Sequence, residues 1–506
     1  MHKYHTVRLK PLGITCKVAH GTSLHDLLAT YGVEFPCGGN GTCGNCKVKL
    51  LGGNIETSRK HAELLLKKGM DKSWRLACMS QVTDDLCIEL QQDTTVIQTD
   101  RTSFPFTPEE GYGIAIDLGS TTIVSQLVNL NDNRVEADHT SINPQSKLGA
   151  DIISRISYAL QSEQHRTALQ QLVRDCIYGH IRHLLQAGAQ PLRKIVIVGN
   201  SVMHHLFCGL DVRPLAAYPF NSPHNASQTF SPQDLQWDIP PCSIRFMPNI
   251  SHFVGSDILA GIQACRMFES DTYQALIDLG TNGEIVIGNR NHMVCTSTAA
   301  GPAFEGINIS QGMRATNGAI YRVDTAAEGF TCRVIGNTSP RGICGSGLVD
   351  AIHALLEVGA IDFTGNFTAA DCPAIPLTGS ITLIPEDIRE FQLAKSAVRT
   401  GFQLIMQQLG IQAQAIEHVY LAGGLGNYLD IHKASALGLL ESLSSTQPVR
   451  LSNAALLGAK QFLFNANQKH IDDWFSHITY CPLETHPDFQ DRYCENMFFG
   501  NTSVFG

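Results

Sequence analysis

The sequence predicts a multidomain chain of mixed class, a small α+β unit at the N-terminus followed by a larger α/β part made of two related lobes. Three observations carry this. Cys37, Cys43 and Cys46 stand in the order C-x5-C-x2-C, with a fourth cysteine at Cys78. An apolar strand ending in Asp-Leu-Gly and a small polar turn occurs twice, about 160 residues apart. The length of 506 residues exceeds what one core can organise, so roughly three folding units are expected.

Four thiolates at the first spacing hold a 2Fe–2S cluster, with a tight loop supplying three ligands and a distant strand the fourth. The loop glycines at 38, 39, 41 and 44 let backbone N–H groups turn toward the sulfurs. A zinc site is the competing reading, but zinc sites usually pair cysteines as C-x2–4-C twice, and one such pair exists here. Cys37, Cys43, Cys46 and Cys78 are therefore the expected ligands, and Cys16 and Cys87 are expected as buried thiols.

Around the cysteines, alternation over Tyr4–Lys10 and Ile14–Val18 predicts two paired strands. Ser23 can cap a helix from about Leu24 to Tyr31. Strands are expected at Lys47–Leu51, around Cys78 and at Leu86–Leu90, with a short helix over His61–Lys68. Residues 1–93 thus resemble the ferredoxin fold, a β-grasp sheet with one long helix. The five-residue gap between the first two ligands is similar to the adrenodoxin-type variant. Residues 94–111, with Pro105 and Pro108 among polar residues, read as a semi-extended linker that lets the first domain swing.

The repeated hairpins begin the two lobes, expected at 112–270 and at 271–506 with a C-terminal extension. In the first, Gly113–Ile116 leads to Asp117, Gly119, Ser120, Thr121 and Thr122. In the second, Ala275–Ile277 leads to Asp278, Gly280, Thr281, Asn282, Gly283 and Glu284. Each turn offers backbone N–H groups to phosphate oxygens, and each aspartate can hold a hydrated magnesium ion. A third element, His418–Leu421, is a buried strand ending at Gly423, Gly424 and Gly426, where missing side chains would let an adenosine lie against the backbone. Ser256-Asp257 should open a helix joining the lobes, and Leu451–Ala459 a returning one. His204-His205 read as packing or surface histidines.

In this order the hairpins and the glycine turn resemble the phosphate and adenosine motifs of the actin-like ATPases, whose two ribonuclease-H-like lobes hold ATP between them. That resemblance implies that Gly345 and Ser346 form a phosphate- or adenosine-facing helix start, although a helix–strand packing turn fits them equally. It also implies that the helix Ile388–Phe402 lies beside the adenine with Lys395, whereas amphipathic spacing alone leaves Lys395 and Arg399 in solvent. Asp257 is the candidate catalytic base. The loop Ser297–Gly306 is a candidate partner contact.

As a whole the chain resembles the reductive activators of corrinoid proteins, most clearly at Asp278–Glu284, Gly301–Gly306 and Gly345–Asp350. The resemblance implies an ATP-hydrolysing iron–sulfur enzyme using a 2Fe–2S cluster, ATP and Mg2+. Such an enzyme passes one electron to Co(II) of a corrinoid protein and restores Co(I) for a cobalamin-dependent methyltransferase. The stretch before the hairpins reads as too short for the separate middle domain some members carry. Cys481 and Cys494 are too few for a second cluster. Two alternatives remain: an ATP-driven donor to another low-potential enzyme, of the dehydratase-activator type, or a small-molecule kinase with a redox domain.

Composition narrows the setting. A net charge of −9 without basic runs argues against nucleic acid. No apolar run approaches membrane-spanning length, and the first residues do not resemble a signal peptide. The 16 cysteines then read as reduced thiols in the cytoplasm of an anaerobic or well-reduced cell. A homodimer through the ATPase part is one option, and the upstream donor is not specified.

Overall fold

The computed structural model describes residues 3–10, 13–28, 31, 33, 41, 46–67, 70–90, 104–149, 151–186, 188, 191–218, 220, 222–280, 282–369, 371–426, 428–441, 448–465 and 468–500. The N-terminal unit contains β1 (Tyr4–Lys10), β2 (Ile14–Ala19), α1 (Leu24–Leu28), β3 (Lys47–Gly52), α2 (Arg59–Lys67), β4 (Trp74–Leu76) and β5 (Leu86–Leu90). The strands form one mixed sheet in the order β2-β1-β5-β3-β4, with β1 and β5 parallel. Alternation puts Val7, Leu9, Val48, Ile88 and Leu90 into one small core with Leu24 and Leu28 of α1. This is the expected β-grasp ferredoxin fold, except that β4 stops at Leu76 and Cys78 lies in the following 3-10 turn Ala77–Met79.

The next unit contains β6 (Tyr112–Leu118), β7 (Thr122–Asn129), β8 (Val135–Ile142), α3 (Ile152–Ala159), α4 (Glu163–Leu185), β9 (Leu192–Gly199), α5 (Ser201–Cys208), β10 (Gln228–Phe230), β11 (Ser243–Phe246) and α6 (Ser256–Cys265). It is followed by β12 (Tyr273–Leu279), β13 (Gly283–Gly288), β14 (Met293–Thr298), β15 (Ala319–Thr325), β16 (Phe330–Val334), β17 (Gly342–Ile343), α7 (Gly345–Glu357), β18 (Ile375–Thr378), β19 (Ile381–Leu383) and α8 (Pro385–Leu409). The chain closes with β20 (Ile416–Ala422), α9 (Gly423–Gly426), α10 (Ile431–Ala436), β21 (Pro448–Arg450), α11 (Ala454–Asn465), α12 (Gln468–Phe475), β22 (Ile478–Tyr480) and α13 (Phe489–Glu495).

The duplication read from the hairpins is a duplication of whole sheets. The first runs β10-β11-β9-β6-β7-β8 and the second β21-β20-β12-β13-β14-β22. In both, two antiparallel hairpin strands and a third antiparallel neighbour lie beside two parallel strands. The central strands are apolar almost throughout because both faces of each sheet are covered. Helices α3–α5 cover the outer face of the first sheet and α7–α8 that of the second. Between the sheets lies one shared core, built around α6 and α11 and fed by Val196, Val198, Leu276 and Val286. The joining and returning helices are thus where the sequence predicts them.

Two expectations change here. The C-terminal half of the presumed linker is anchored: Phe104 and Phe106 pack on Phe464, and the Arg193 Nε donates to the Glu110 carbonyl at 3.1 Å. Residues 91–103 lie outside the described residues. The helix expected over 388–402 runs from Pro385 to Leu409, started by Pro385 at its first turn and stopped by Gly410 in the left-handed conformation.

Candidate functional site

Cys46 is buried where its loop enters β3, and Cys78 is half-buried in the turn after β4. Their Sγ atoms are 3.1 Å apart, and the Cys78 N–H points at the Cys46 sulfur at 3.5 Å. The Ala77 N–H donates to the Cys46 carbonyl at 2.8 Å, locking the two segments in register. Fully buried His61 accepts the Leu76 N–H on Nε2 at 2.9 Å. Burial, with help from Arg75, holds its pKa below the usual histidine range, which keeps that nitrogen an acceptor. Adjacent sulfurs with N–H donors suit thiolates that carry shared negative charge on a cluster. Cys37 and Cys43 lie outside the described residues.

The first hairpin is a tight turn in which the Gly119 N–H donates to the Thr122 carbonyl at 3.0 Å. Its carbonyls are all taken by neighbours. Asn143 Nδ2 donates to Gly119 at 2.9 Å, the Asn143 N–H to Thr121 at 2.8 Å, and Arg155 Nη2 to Ser120 at 2.5 Å. Arg155 is fully buried, and its Nε donates to the Gly149 carbonyl at 2.9 Å. Burial pulls its pKa down to about 10, so it remains a cation behind the turn. Ser120, Thr121 and Thr122 are half-buried beside it.

The second hairpin repeats the turn, with the Gly280 N–H donating to the Asn282 carbonyl at 2.9 Å; Thr281 lies outside the described residues. The glycine turn α9 closes on it. Gly423 has φ +78°, and a Cβ there would stand 2.5 Å from Asp278 Oδ1, so no other residue fits. Around Gly424 there is open space within 4 Å, while Gly426 backs onto Leu421.

Asp117 and Asp278 are the next-to-last residues of the corresponding strands β6 and β12, and Asp257 lies in the first turn of α6. Glu284, across the second hairpin from Asp278, faces Ser297 on β14 and accepts its hydroxyl at 3.1 Å. These four carboxylates keep some solvent contact but are half-buried, with protein around them. That burial pushes the pKa of Asp117 and of Asp278 up to about 6. For Asp257 it reaches about 7, with the neighbouring Asp278 and Asp117 charges adding to burial. Glu284 is raised as well, through burial and then the charges of Asp257 and Asp278. Asp117 accepts a side-chain amide, the Asn453 Nδ2 at 3.0 Å. Concentrated negative charge beside two turns of N–H groups fits a divalent cation with phosphates. Among the described residues no three acidic, histidine or cysteine side chains converge as direct ligands of one ion. A magnesium ion that keeps several of its waters suits carboxylates spaced in this way.

Several expected contacts are elsewhere. Lys395 does not line the cleft: it is fully buried, donates to the Phe498 carbonyl at 2.5 Å and lies 5.6 Å from the Phe499 ring centre. Burial pulls its pKa down to about 7, and Arg399 adds to this. Arg399 is also buried, beside Glu441 at 3.4 Å. Gly345 backs onto the Phe304 carbonyl with no room for a side chain, and buried Ser346 donates to the Tyr321 carbonyl at 3.1 Å. Both residues pack closely in the turn that leads into α7. Ser297 is a strand residue bonded to Glu284 rather than the start of an exposed loop. His204 and His205 are buried packing residues, as expected. Arg155, Asn143, Glu284, Asn453 and His61 are the contributors that the motifs left unassigned.

Three family models match the chain: a 2Fe–2S iron–sulfur cluster binding domain over residues 7–83, the RACo middle region over 112–270, and the C-terminal domain of RACo, the ASKHA domain, over 272–505. The chain is 33% identical over 423 residues to "Corrinoid activation enzyme RamQ" of Eubacterium limosum, covering 77% of this chain and 70% of that protein. The chain belongs to the reductive activators of corrinoid proteins. It is also 25% identical over 402 residues to the "[Co(II) methylated amine-specific corrinoid protein] reductase" of Methanosarcina barkeri, covering 72% and 71%. A solved structure titled "Reductive activator for corrinoid,iron-sulfur protein" superposes with a TM-score of 0.68 at 26% identity, over 99% of both chains. The middle region is therefore not missing from this activator; it is the first six-stranded unit. The cofactors of the activator are a 2Fe–2S cluster and ATP with Mg2+.

Proposed function

We propose that this activator delivers one electron to the Co(II) of a corrinoid protein, in an ATP-dependent reaction that restores Co(I) for a cobalamin-dependent methyltransferase. The observation that carries this is the pairing, in one chain, of a cysteine pair with N–H···S geometry and a cleft holding carboxylates from both lobes. The names of the relatives point to the same acceptor. When bound, the cluster supplies a one-electron relay near about −400 mV, and ATP supplies binding and hydrolysis energy for a step that is uphill from there.

The chain's own groups have distinct tasks in this reading. Cys37, Cys43, Cys46 and Cys78 hold the cluster, and His61 fixes the strand end that carries Cys78. Asp117 and Asp278 orient the hydrated magnesium, while the turns at Gly119–Thr122 and Gly280–Asn282 bind phosphate oxygens. Asp257 accepts the proton of the attacking water, and a carboxyl with a pKa of about 7 is matched to that task near neutral pH. Gly423, Gly424 and Gly426 receive the nucleoside. The partner docks on the ATPase part, and the protein works in the cytoplasm as a homodimer through that part; no described helix is long and apolar enough to cross a membrane.

Mixing the reduced protein with a Co(II) corrinoid protein and following the Co(I) absorbance tests the proposal. The expected result is Co(I) formation that requires the chain and increases in rate or extent with ATP and Mg2+. Absence of Co(I), together with ATP-dependent phosphorylation of a small metabolite, would replace it with the kinase alternative.

A further inference from the structure

Helix α11 touches both the nucleotide cleft and the tether of the cluster-bearing unit. At its N-terminus Asn453 caps the helix by accepting the Leu456 N–H at 2.8 Å, and with its other amide atom donates to Asp117 at 3.0 Å. At its C-terminal end Phe464 lies 5.6 Å from the Phe104 ring and 4.9 Å from the Phe106 ring. One turn earlier, buried Lys460 places its Nζ 5.7 Å from the centre of the Phe104 ring. In the sequence, Phe104 and Phe106 directly follow the segment 91–103, which joins the cluster unit to the rest of the chain.

Between its ends, α11 is built to move as one piece. Twelve helical residues span about 18 Å. The helix packs backbone to backbone on α6: a Cβ at Gly458 would stand 1.9 Å from the Ala260 carbonyl oxygen. Gln263 Nε2 donates to Gln461 Oε1 at 3.2 Å across the same contact. Leu456, Ala459, Phe462 and Leu463 are buried in the core shared by the two sheets. Such a rod cannot absorb a displacement at one end by bending, because close-packed cores do not deform continuously.

We propose that α11 couples nucleotide occupancy of the cleft to the hold on residues 104–106, and so to the reach of the cluster unit. This rests on the reading of the cleft as an ATP site. When the Asp117 carboxylate turns to the hydrated cation, it loses Asn453 as its partner; α11 shifts, and the Phe104–Phe106–Phe464 contact loosens. A nucleotide can do this only by favouring one of two packings, and Asp117 is the hairpin aspartate whose partner sits on α11.

Arg101 lies in the adjoining segment and is a trypsin site, so its cleavage can be followed by mass spectrometry in the full-length protein with its cluster. The expected result is that ATP with Mg2+ speeds initial cleavage at Arg101 on the order of fivefold. In Phe104→Ala, cleavage should be fast and insensitive to nucleotide, while ATP hydrolysis stays that of the wild type. Phe464→Leu, which keeps the volume of the contact but not its rings, should show a reduced response. A nucleotide response in Phe104→Ala equal to that of the wild type would overturn the proposal. So would unchanged or slower cleavage in a wild-type protein that hydrolyses ATP. If calorimetry shows that the wild type binds no ATP, the reading of the cleft itself fails, and the coupling falls with it.

Discussion

The two hairpins that face the cleft descend from one pattern, yet the protein holds them differently. Asp117 and Asp278 stand next to last in equivalent strands, and both turns close with a glycine N–H bonded to a carbonyl. Behind the first turn stands a buried cation, Arg155, with Asn143 taking the remaining carbonyls. Against the second lies the glycine turn of α9, pressed onto Asp278 itself. The paired helices differ as well, since α6 starts with the acid Asp257 and α11 with the amide Asn453. A duplicated scaffold has thus been given one acidic and one neutral helix start, and the proposed deprotonation of a single water by Asp257 uses this asymmetry.

Removing the aspartates should have the largest effect. Asp278→Ala should lower Mg2+-dependent ATP hydrolysis about a thousandfold and Asp117→Ala about a hundredfold, since each strips charge from the cation's surroundings. The visible spectrum of the cluster should not change, because the domains have separate cores. Equal, wild-type-like hydrolysis in both would mean that the hairpins are ordinary turns.

The helix starts come next. Asp257→Asn should reduce kcat on the order of a hundredfold with little change in KM, as expected for loss of a base. Asn453→Asp in that background should not restore activity, because it sets a second carboxylate beside Asp117 instead of opposite the water. Rescue would show the two positions to be interchangeable.

Arg155→Met should lower stability by about 2–3 kcal/mol, leaving buried carbonyls of Ser120 and Gly149 without a donor. The shift in denaturant midpoint measures this, and ATP affinity should fall with it. An unchanged midpoint would mean that the first turn stands without its cation.

The smallest effect is one of pH. The folded-state pKa values of Asp117, Asp257 and Asp278 lie above those of an unfolded chain, so folding favours their protonated forms. Their contribution to the stability of the nucleotide-free protein is present at acid pH and is lost as pH rises from about 4 through 6 and 7. ATP with Mg2+ should therefore raise Tm more at pH 8 than at pH 5.5. A larger rise at pH 5.5 would exclude charged carboxylates as the binding groups.

What could be read from the sequence was what neighbours in sequence decide. Asp117, Asp278 and Gly423 sit in turns whose chemistry is spelled out by adjacent residues, and the sheet order follows from the same hairpins. Asn453 was hidden because it meets Asp117 from 336 residues away. Arg155 was hidden because an arginine on a short helix reads as surface charge, yet it is fully buried. Lys395 was misplaced for a related reason. Amphipathic spacing gives its face of α8 to solvent or a ligand, and the segment 493–500, about a hundred residues later, covers it with backbone carbonyls. The cluster loop shows the other side of this limit: Cys46 and Cys78 meet as the spacing implies, through a His61 contact that no spacing encodes.

The central claim is that electron delivery needs the cysteine site and is driven by the carboxylate cleft. Co(I) absorbance measured with the wild type, Cys78→Ser and Asp278→Ala, at equal reductant and corrinoid protein, tests it most directly. The account requires no Co(I) with Cys78→Ser, whether or not ATP is present, and with Asp278→Ala a slow reaction that ATP no longer accelerates. Full reduction by Cys78→Ser would contradict it, since the electron would then bypass the cluster and the chain would act on the corrinoid protein only as an ATP-dependent remodeller.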